Sequence, residues 1–371
     1  MGMGINLGNV LDAPKEGQWA APAEERYFDS YAAAGFRSVR VPCRWSQHTS
    51  TTPPYITAHN PFLARVFEVA GWSISRKLRT VINAHHDDWL DGAADDAAFT
   101  RALDRLVAIW RTVGERFAHV PDNLLAFEVY NEPHLNMTTR WLNRMNAAVL
   151  AAIRETSPTR TVFLGGLRWM NPHWIVTNPD AIDLLPEPAP SDPHVALEAP
   201  VHSYNPFDFC GGDGGRPPRV HSWPVGAVED WATQLHAWAE RRNVSILLGE
   251  FGCTRRQSNA SGRLAWYAAS AAAVARHGFA ATVWDDSGDF AVWDRKTGAW
   301  DEAVLRALGL EGAATSPARG WPGFPAARGM DGLPPLLGDT RLPGPSWRPF
   351  DYGQGGSLGG EVVRGRGAQV A

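Results

Sequence analysis

Between residues 4 and 310, short aliphatic and β-branched runs alternate with longer segments of helical period. The runs are GINLGN (4–9), SVRVPC (38–43), RTVINAH (79–85), LLAFEVYNE (124–132), TVFLGGL (161–167), VALEAPVHSY (195–204), SILLGEFG (245–252) and FAATVWD (279–285). Helical period is clearest over 99–118 and 138–157, where Trp141, Met145, Val149 and Ala152 mark one apolar face. Strand candidates nearly always followed by a helix, over this length, predict a (β/α)8 TIM barrel. The rival is an open doubly wound sheet. Its Gly-rich phosphate fingerprint is missing, since no helix follows the two glycines of GINLGN at the right spacing. Residues 1–310 are therefore expected to form one barrel domain. In 311–371, Gly and Pro make up 22 of 61 residues without periodicity, which predicts a low-order, mostly disordered tail.

The polar residues in these runs collect at their C-terminal ends. Arg40 comes late in the second run, His85 and His86 end the third, and Asn131 and Glu132 end the fourth. His202 and Tyr204 fall at the end of the sixth, Glu250 in the seventh and Trp284 in the eighth. In a barrel all these ends face one mouth, where catalytic side chains sit. Two of them are carboxylates, on the fourth and seventh strands. Cleavage of a glycosidic bond needs such a pair: one carboxyl protonates the departing oxygen, and one carboxylate attacks the anomeric carbon or activates water. Arg, His and Tyr around Glu250 would hold it ionised, while partial burial and the charge of its partner would keep Glu132 protonated. Glu128, on the same strand face as Glu132 by period-two parity, is expected to be a structural carboxylate inside the barrel, with Arg40 a candidate partner.

Composition narrows the picture. A formal net charge of -4, with no Lys/Arg-rich run, argues against a nucleic-acid surface. The 17 Trp residues suit stacking on sugar rings; Trp169 and Trp223 are candidates for outer subsites. Cys43, Cys210 and Cys253 lack metal-ligand spacing, and whether Cys210 pairs with Cys253 stays open. His85, His86, Asp87 and Asp88 suggest a metal-dependent hydrolase as a rival. Adjacent strand residues point to opposite faces, however, so no metal is expected, and no cofactor is expected because proton transfer and carboxylate attack suffice. No apolar stretch is long enough to span a membrane, and MGMGINLGNV has no basic segment followed by an apolar one, so no signal peptide is visible and the natural start is left open.

The motifs FEVYNEPH, VHSYNPF and LLGEFG, in that order, resemble those of the retaining glycoside hydrolases of family 5, and the resemblance runs from GINLGNVLDAP through VWDDSGDF. It implies a barrel with Glu132 as general acid/base and Glu250 as nucleophile. Asn131 would bond the sugar 2-hydroxyl, and Arg40 and Tyr204 would bond Glu250. His85 and His202 would line the cleaving subsite, Trp284 would be a sugar platform, and Asn9 would add a substrate contact; His86, next to His85, is read from its position as a second contact. Asp12 stands where relatives often carry Glu, and the Gly/Pro-rich stretch after NPFDF could reshape the product side. The implied activity is endo-β-1,4-glucan hydrolysis by a monomer acting on polysaccharide, with extracellular location expected. β-Mannan, xyloglucan and mixed-linkage glucan are alternative substrates, and an inactive carbohydrate-binding barrel is the non-enzymatic alternative.

Overall fold

The computed structural model describes residues 2–182, 197–211, 222–224 and 226–310. The expected tail 311–371, the first residues of the sixth run and most of the Gly/Pro-rich stretch after NPFDF lie outside the described residues. The first half runs β1 (Met3–Asn6), α1 (Glu25–Ala33), β2 (Ser38–Val41), α2 (Pro61–Ser75), β3 (Arg79–Asn83), α3 (Asp96–Phe117), β4 (Leu125–Glu128) and α4 (Thr139–Arg154). The second runs β5 (Val162–Phe163), α5 (Pro172–Thr177), β6 (Leu197–Ser203), α6 (Phe207–Cys210), α7 (Ala227–Arg242), β7 (Ser245–Phe251), α8 (Ala260–His277), β8 (Ala280–Val283) and α9 (Glu302–Ala307). Each strand pairs in parallel with the next, and β8 returns to β1 through Ile5↔Val283. Closure leaves no sheet edge and rules out the open-sheet alternative.

Period two divides the strand residues between two environments. Val39, Val41, Ile82, Phe127 and Leu248 face outward and join the helices in one large apolar core. Helix α3 supplies Phe99, Leu103, Leu106, Trp110, Val113 and Phe117 to that core, and its N-terminus is capped by the Asp95 carboxylate on the Ala98 N–H. On α4 the expected face of Trp141, Met145, Val149 and Ala152 is buried, with Thr138 as cap. Inside the barrel, Val81, Ala126, Phe163, Leu247 and Ala280 form a separate apolar plug. Two residues beyond Val81, Ala126 and Ala280, the same inward parity places Asn83, Glu128 and Thr282, all buried. The polar floor of the mouth thus rests on a hydrocarbon plug.

The regular strands are shorter than the apolar runs. β4 ends at Glu128, so Asn131 and Glu132 belong to the following loop rather than to the strand end. β5 keeps only two residues, because beyond it the Met170 side chain replaces a strand neighbour: its Sδ accepts the Gly166 N–H at 3.2 Å. A Cβ on Gly165 would collide with that side chain at 1.7 Å.

β7 contains the irregularity that matters most. Leu247 faces the plug and Leu248 the outer core, so strict alternation would send Gly249 inward and Glu250 out into the helices. The pairing with β6 instead steps from Val201↔Leu248 to His202↔Glu250. Gly249 is the extra residue of a bulge, and the bulge returns Glu250 to the inside.

Cys210 and Cys253 form a disulfide that ties α6 to the segment just after β7 and closes a 43-residue separation. Cys43 is free and fully buried. Cys253→Ser is expected to cost about 2–4 kcal/mol by restoring freedom to the unfolded chain. Denaturant unfolding with and without reductant measures this; a variant as stable as the reduced and the oxidised protein alike would contradict it.

Candidate active site

At the C-terminal face the side chains gather around one guanidinium. Arg40, on β2, is fully buried. Its Nε and Nη2 donate to the two Glu128 oxygens at 2.6 and 2.8 Å. Nη1 donates to Glu250 Oε1 at 2.7 Å and Asn6 Oδ1 at 2.9 Å, and Nη2 also reaches Asn131 Oδ1 at 2.6 Å. The alternatives for Arg40, partner of Glu128 or of Glu250, are therefore both realised. One cation shared by two carboxylates answers why so apolar a strand carries Glu128: without it, a desolvated guanidinium would face Glu250 alone. Glu128 and Glu250 together outweigh the burial that would otherwise discourage charge on Arg40, and raise its affinity for its proton.

Glu250 accepts a second bond from the Tyr204 hydroxyl at 2.8 Å, and His202 Nδ1 lies 3.7 Å from the same oxygen. Burial alone would raise the Glu250 carboxyl, but His202, Arg40 and Tyr204 outweigh it and hold it below the usual carboxylate range. The Tyr204 phenol is driven up, first by burial and then by Glu250, and so remains a donor. Glu132 sits opposite, its side chain 24% exposed, with Oε1 2.7 Å from the same His202 Nδ1. One ligand-capable atom each of Glu132, His202 and Glu250 lies within 4.8 Å of the others, so the two carboxylates face one another across a narrow gap. Burial opposes a charge on His202, yet Glu250 and Glu132 outweigh it and lift the imidazole above its ordinary pKa. His202 thus bridges both carboxylates, a more central place than the wall of a subsite.

The other expected residues surround this pair. The His85 ring is buried and lies parallel to Trp284, centroids 6.0 Å apart. Asn83 Nδ2 lies 3.2 Å from His85 Nδ1; an amide N–H donates, which leaves the imidazole proton on Nε2. Burial, then His86 and Arg40, hold His85 well below the ordinary imidazole pKa, so it is neutral. Trp284 is only 8% exposed, and next to it Asp285 turns inward to Arg295 and to the Val292 and Trp293 N–H groups. Gly8 makes room for the indole, since a Cβ there would sit 2.9 Å from its edge. Asn9 is left-handed at φ 63 and donates from Nδ2 to the Asp286 carbonyl, while Asp12 accepts the Asn9 and Val10 N–H groups.

The parity argument against a shared ligand position at His85 and His86 fails. The strand has already ended, His86 takes φ 52, and the two rings meet at 4.3 Å. Asp12, His85 and His86 bring ligand-capable atoms within 4.8 Å, whereas Asp87 turns away to the Trp45 and Ser46 N–H groups. Asp12 and His85 are nonetheless engaged by protein donors, as described. Trp169 is 44% exposed at the rim, stacked on His134. Trp223 instead packs on the core and bonds the Gly262 carbonyl of α8.

Sequence reasoning passed over Asn6 and Asn83. Asn6 donates to the Gly249, Thr282 and Val283 carbonyls and accepts from Arg40, so it fastens the bulge to the guanidinium. Asn83 accepts the Cys43 N–H and donates toward Glu128. Both were visible as amides at inward parity within apolar strands.

A parallel eight-stranded barrel with a carboxylate pair at its C-terminal mouth defines the class of glycosidase-like barrels. The family model for cellulase (glycosyl hydrolase family 5) matches residues 4–289, and the chain belongs to that family. Endoglucanase H of Acetivibrio thermocellus is 38% identical over 83% of this chain, and the chain spans only 33% of that relative's length. A solved hyperthermophilic endo-β-1,4-glucanase in complex with substrate superposes with a TM-score of 0.73 at 30% identity, covering 83% of this chain and 96% of that one. Thermotoga maritima Cel5A in complex with mannotriose gives a TM-score of 0.72 at 27% identity, covering 83% and 97%.

Proposed function

We propose that the chain is a retaining endo-β-1,4-glucanase working by double displacement. The observation that carries this reading is the approach of Glu132 and Glu250 to within 4.8 Å. Retention requires carboxyl groups about 5–5.5 Å apart and inversion roughly 6.5–9.5 Å, to admit a water. The nearest oxygens of a retaining pair lie somewhat closer than the groups themselves.

In the first step a Glu250 oxygen attacks the anomeric carbon while Glu132 gives its proton to the departing glycosidic oxygen. The C–O bond breaks and a covalent glycosyl-enzyme remains. In the second, Glu132 takes a proton from water, which attacks the anomeric carbon and releases Glu250. Arg40 and Tyr204 hold Glu250 ionised and aimed, Asn131 offers its amide to the sugar 2-hydroxyl, and His85, His86, Asn9 and Trp284 shape the cleaving subsite. His202 Nδ1 ties the Glu132 carboxyl to its place opposite Glu250.

The large apolar side chains exposed among the described residues are Trp19, Leu135, Trp169 and Phe207. All four lie on segments following β1, β4, β5 or β6, the mouth side of the barrel. Three of them are flat aromatic groups, and such groups spread around one mouth suit a chain of sugar rings rather than a single ring. β-Mannan is the second substrate, favoured by the mannotriose complex of the Thermotoga relative. Reducing-sugar release from soluble β-glucan, mannan, xyloglucan and xylan tests the reading. Greatest turnover on β-1,4-glucan is expected; sugar binding without release on any polymer would leave the inactive barrel.

Proton transfer and carboxylate attack need no metal, so EDTA is expected to leave the rate unchanged. Loss on chelation with recovery on adding a divalent ion would favour the metal-dependent rival, with Asp12 in place of Asp87 beside His85 and His86. Extracellular action by a monomer completes the proposal. The Cys210–Cys253 bond supports it, since disulfides persist in oxidising compartments. Reductant-sensitive stability and a monomer mass by light scattering are expected.

A further inference from the structure

We propose that His134, braced by Asp91, is a positioning residue for the acid/base Glu132. The inference rests on the glucanase reading above and extends it to residues outside the carboxylate pair. Glu132 lies in a loop, four residues past the end of β4, so the strand does not fix its backbone. His134 does. Its Nδ1 lies 2.6 Å from the Glu132 carbonyl oxygen, and because a carbonyl only accepts, Nδ1 must carry the proton.

His134 is in turn held from two sides. From the β3–α3 loop, the buried Asp91 accepts the His134 backbone N–H at 3.3 Å and places Oδ2 3.4 Å from the same Nδ1. The Asp91 carbonyl accepts the Asn136 N–H at 3.1 Å, and the Tyr130 hydroxyl lies 3.0 Å from the Asp91 carboxylate. From the β5–α5 loop, Trp169 stacks on the imidazole with centroids 5.1 Å apart, and its backbone N–H donates to the Pro133 carbonyl at 3.3 Å. Arg168, Trp169 and Met170 take φ values of 55°, 58° and 57°, three left-handed residues in succession. L-residues adopt that conformation singly and at a cost. Here the run brings Trp169 onto His134 while the Met170 carbonyl accepts the His202 N–H at 3.0 Å, so one strained turn touches both supports of Glu132. The dull alternative, that His134 merely fills space, does not account for an Nδ1–H aimed at the Glu132 carbonyl.

A misaimed acid hurts only the step that needs a proton. Two substrates separate this: β-1,4-glucan, whose leaving sugar must be protonated, and 2,4-dinitrophenyl β-cellobioside, whose phenolate leaves without help. For glycosyl-enzyme formation, His134→Ala is expected to lower kcat/KM on glucan about 10–100-fold, the cost of misplacing a proton donor. On the aryl substrate the loss is expected to stay under about threefold. His134→Asn, with an amide N–H near the Nδ1 position, should restore most of the glucan rate. His134→Phe, which keeps the Trp169 stacking without a donor, should not, and these two variants decide the matter if the alanine variant does not fold.

Equal losses on both substrates, full activity of the phenylalanine variant, or no loss at all would each overturn the role. Glu132→Ala serves as the reference for the leaving-group bias. If wild type cleaves both substrates and Glu132→Ala shows the bias while the His134 variants do not, only this inference falls. A wild type inert toward both would overturn the glucanase reading itself.

Discussion

Glu250→Gly is expected to lower turnover by roughly 10⁴-fold or more, as removal of a covalent nucleophile does. Added azide should restore product by entering the space that the carboxylate left. It then attacks the β-glycoside from the face opposite the leaving group, so the product is the α-glycosyl azide. Glu132→Ala is expected to behave differently with an activated aryl glycoside. There the glycosyl-enzyme still forms on Glu250, azide attacks it in the second step, and the product is the β-glycosyl azide. The two opposite stereochemistries assign the two roles. If the Glu250 variant gave the β-azide, the assignments of Glu132 and Glu250 would have to be exchanged.

Arg40→Met is the second large effect. Removing the guanidinium strands Glu128, which is fully buried, and takes from Glu250 one of the groups that offset its burial. Breaking a buried pair by deleting one partner costs about 3–5 kcal/mol. The catalytic consequence has a definite sign. Burial raises the Glu250 carboxyl, while His202, Arg40 and Tyr204 lower it to below the ordinary range. In the variant one lowering contribution is gone, so Glu250 takes up its proton at a higher pH and the acid limb of kcat/KM moves upward. Wild type should keep activity to a lower pH than the variant. An acid limb that stayed in place, in a variant of undiminished stability, would contradict the shared-cation arrangement.

Much of this was legible in the chain because it rests on period and position. Eight apolar runs in sequence order became eight strands in ring order, and the helix face through Trp141, Met145 and Val149 packed as its spacing required. The parity that put Glu128 inside the barrel held, because its strand is regular. What stayed hidden lies where regularity breaks. Parity past Asn83 gave opposite faces for His85 and His86, yet the left-handed turn at His86 brings their rings together. At β7 the bulge decides the face of Glu250, and only Gly249, a glycine within an otherwise aliphatic strand, hinted at it. The bridging of Glu132 and Glu250 by His202 could not be foreseen either, since it depends on distances between three loops or strand ends remote in sequence.

The central claim is that two opposed glutamates handle one glycosidic bond, one of them by becoming covalently attached to the sugar. Incubation with a 2-deoxy-2-fluoro cellobiosyl donor bearing a good leaving group slows the second step and allows the intermediate to accumulate. Peptide mapping by mass spectrometry then locates the sugar. The account predicts one fluorocellobiosyl group per chain, on the peptide that carries Glu250; a label on Glu132, or a turnover-competent enzyme that never acquires a label, would contradict it.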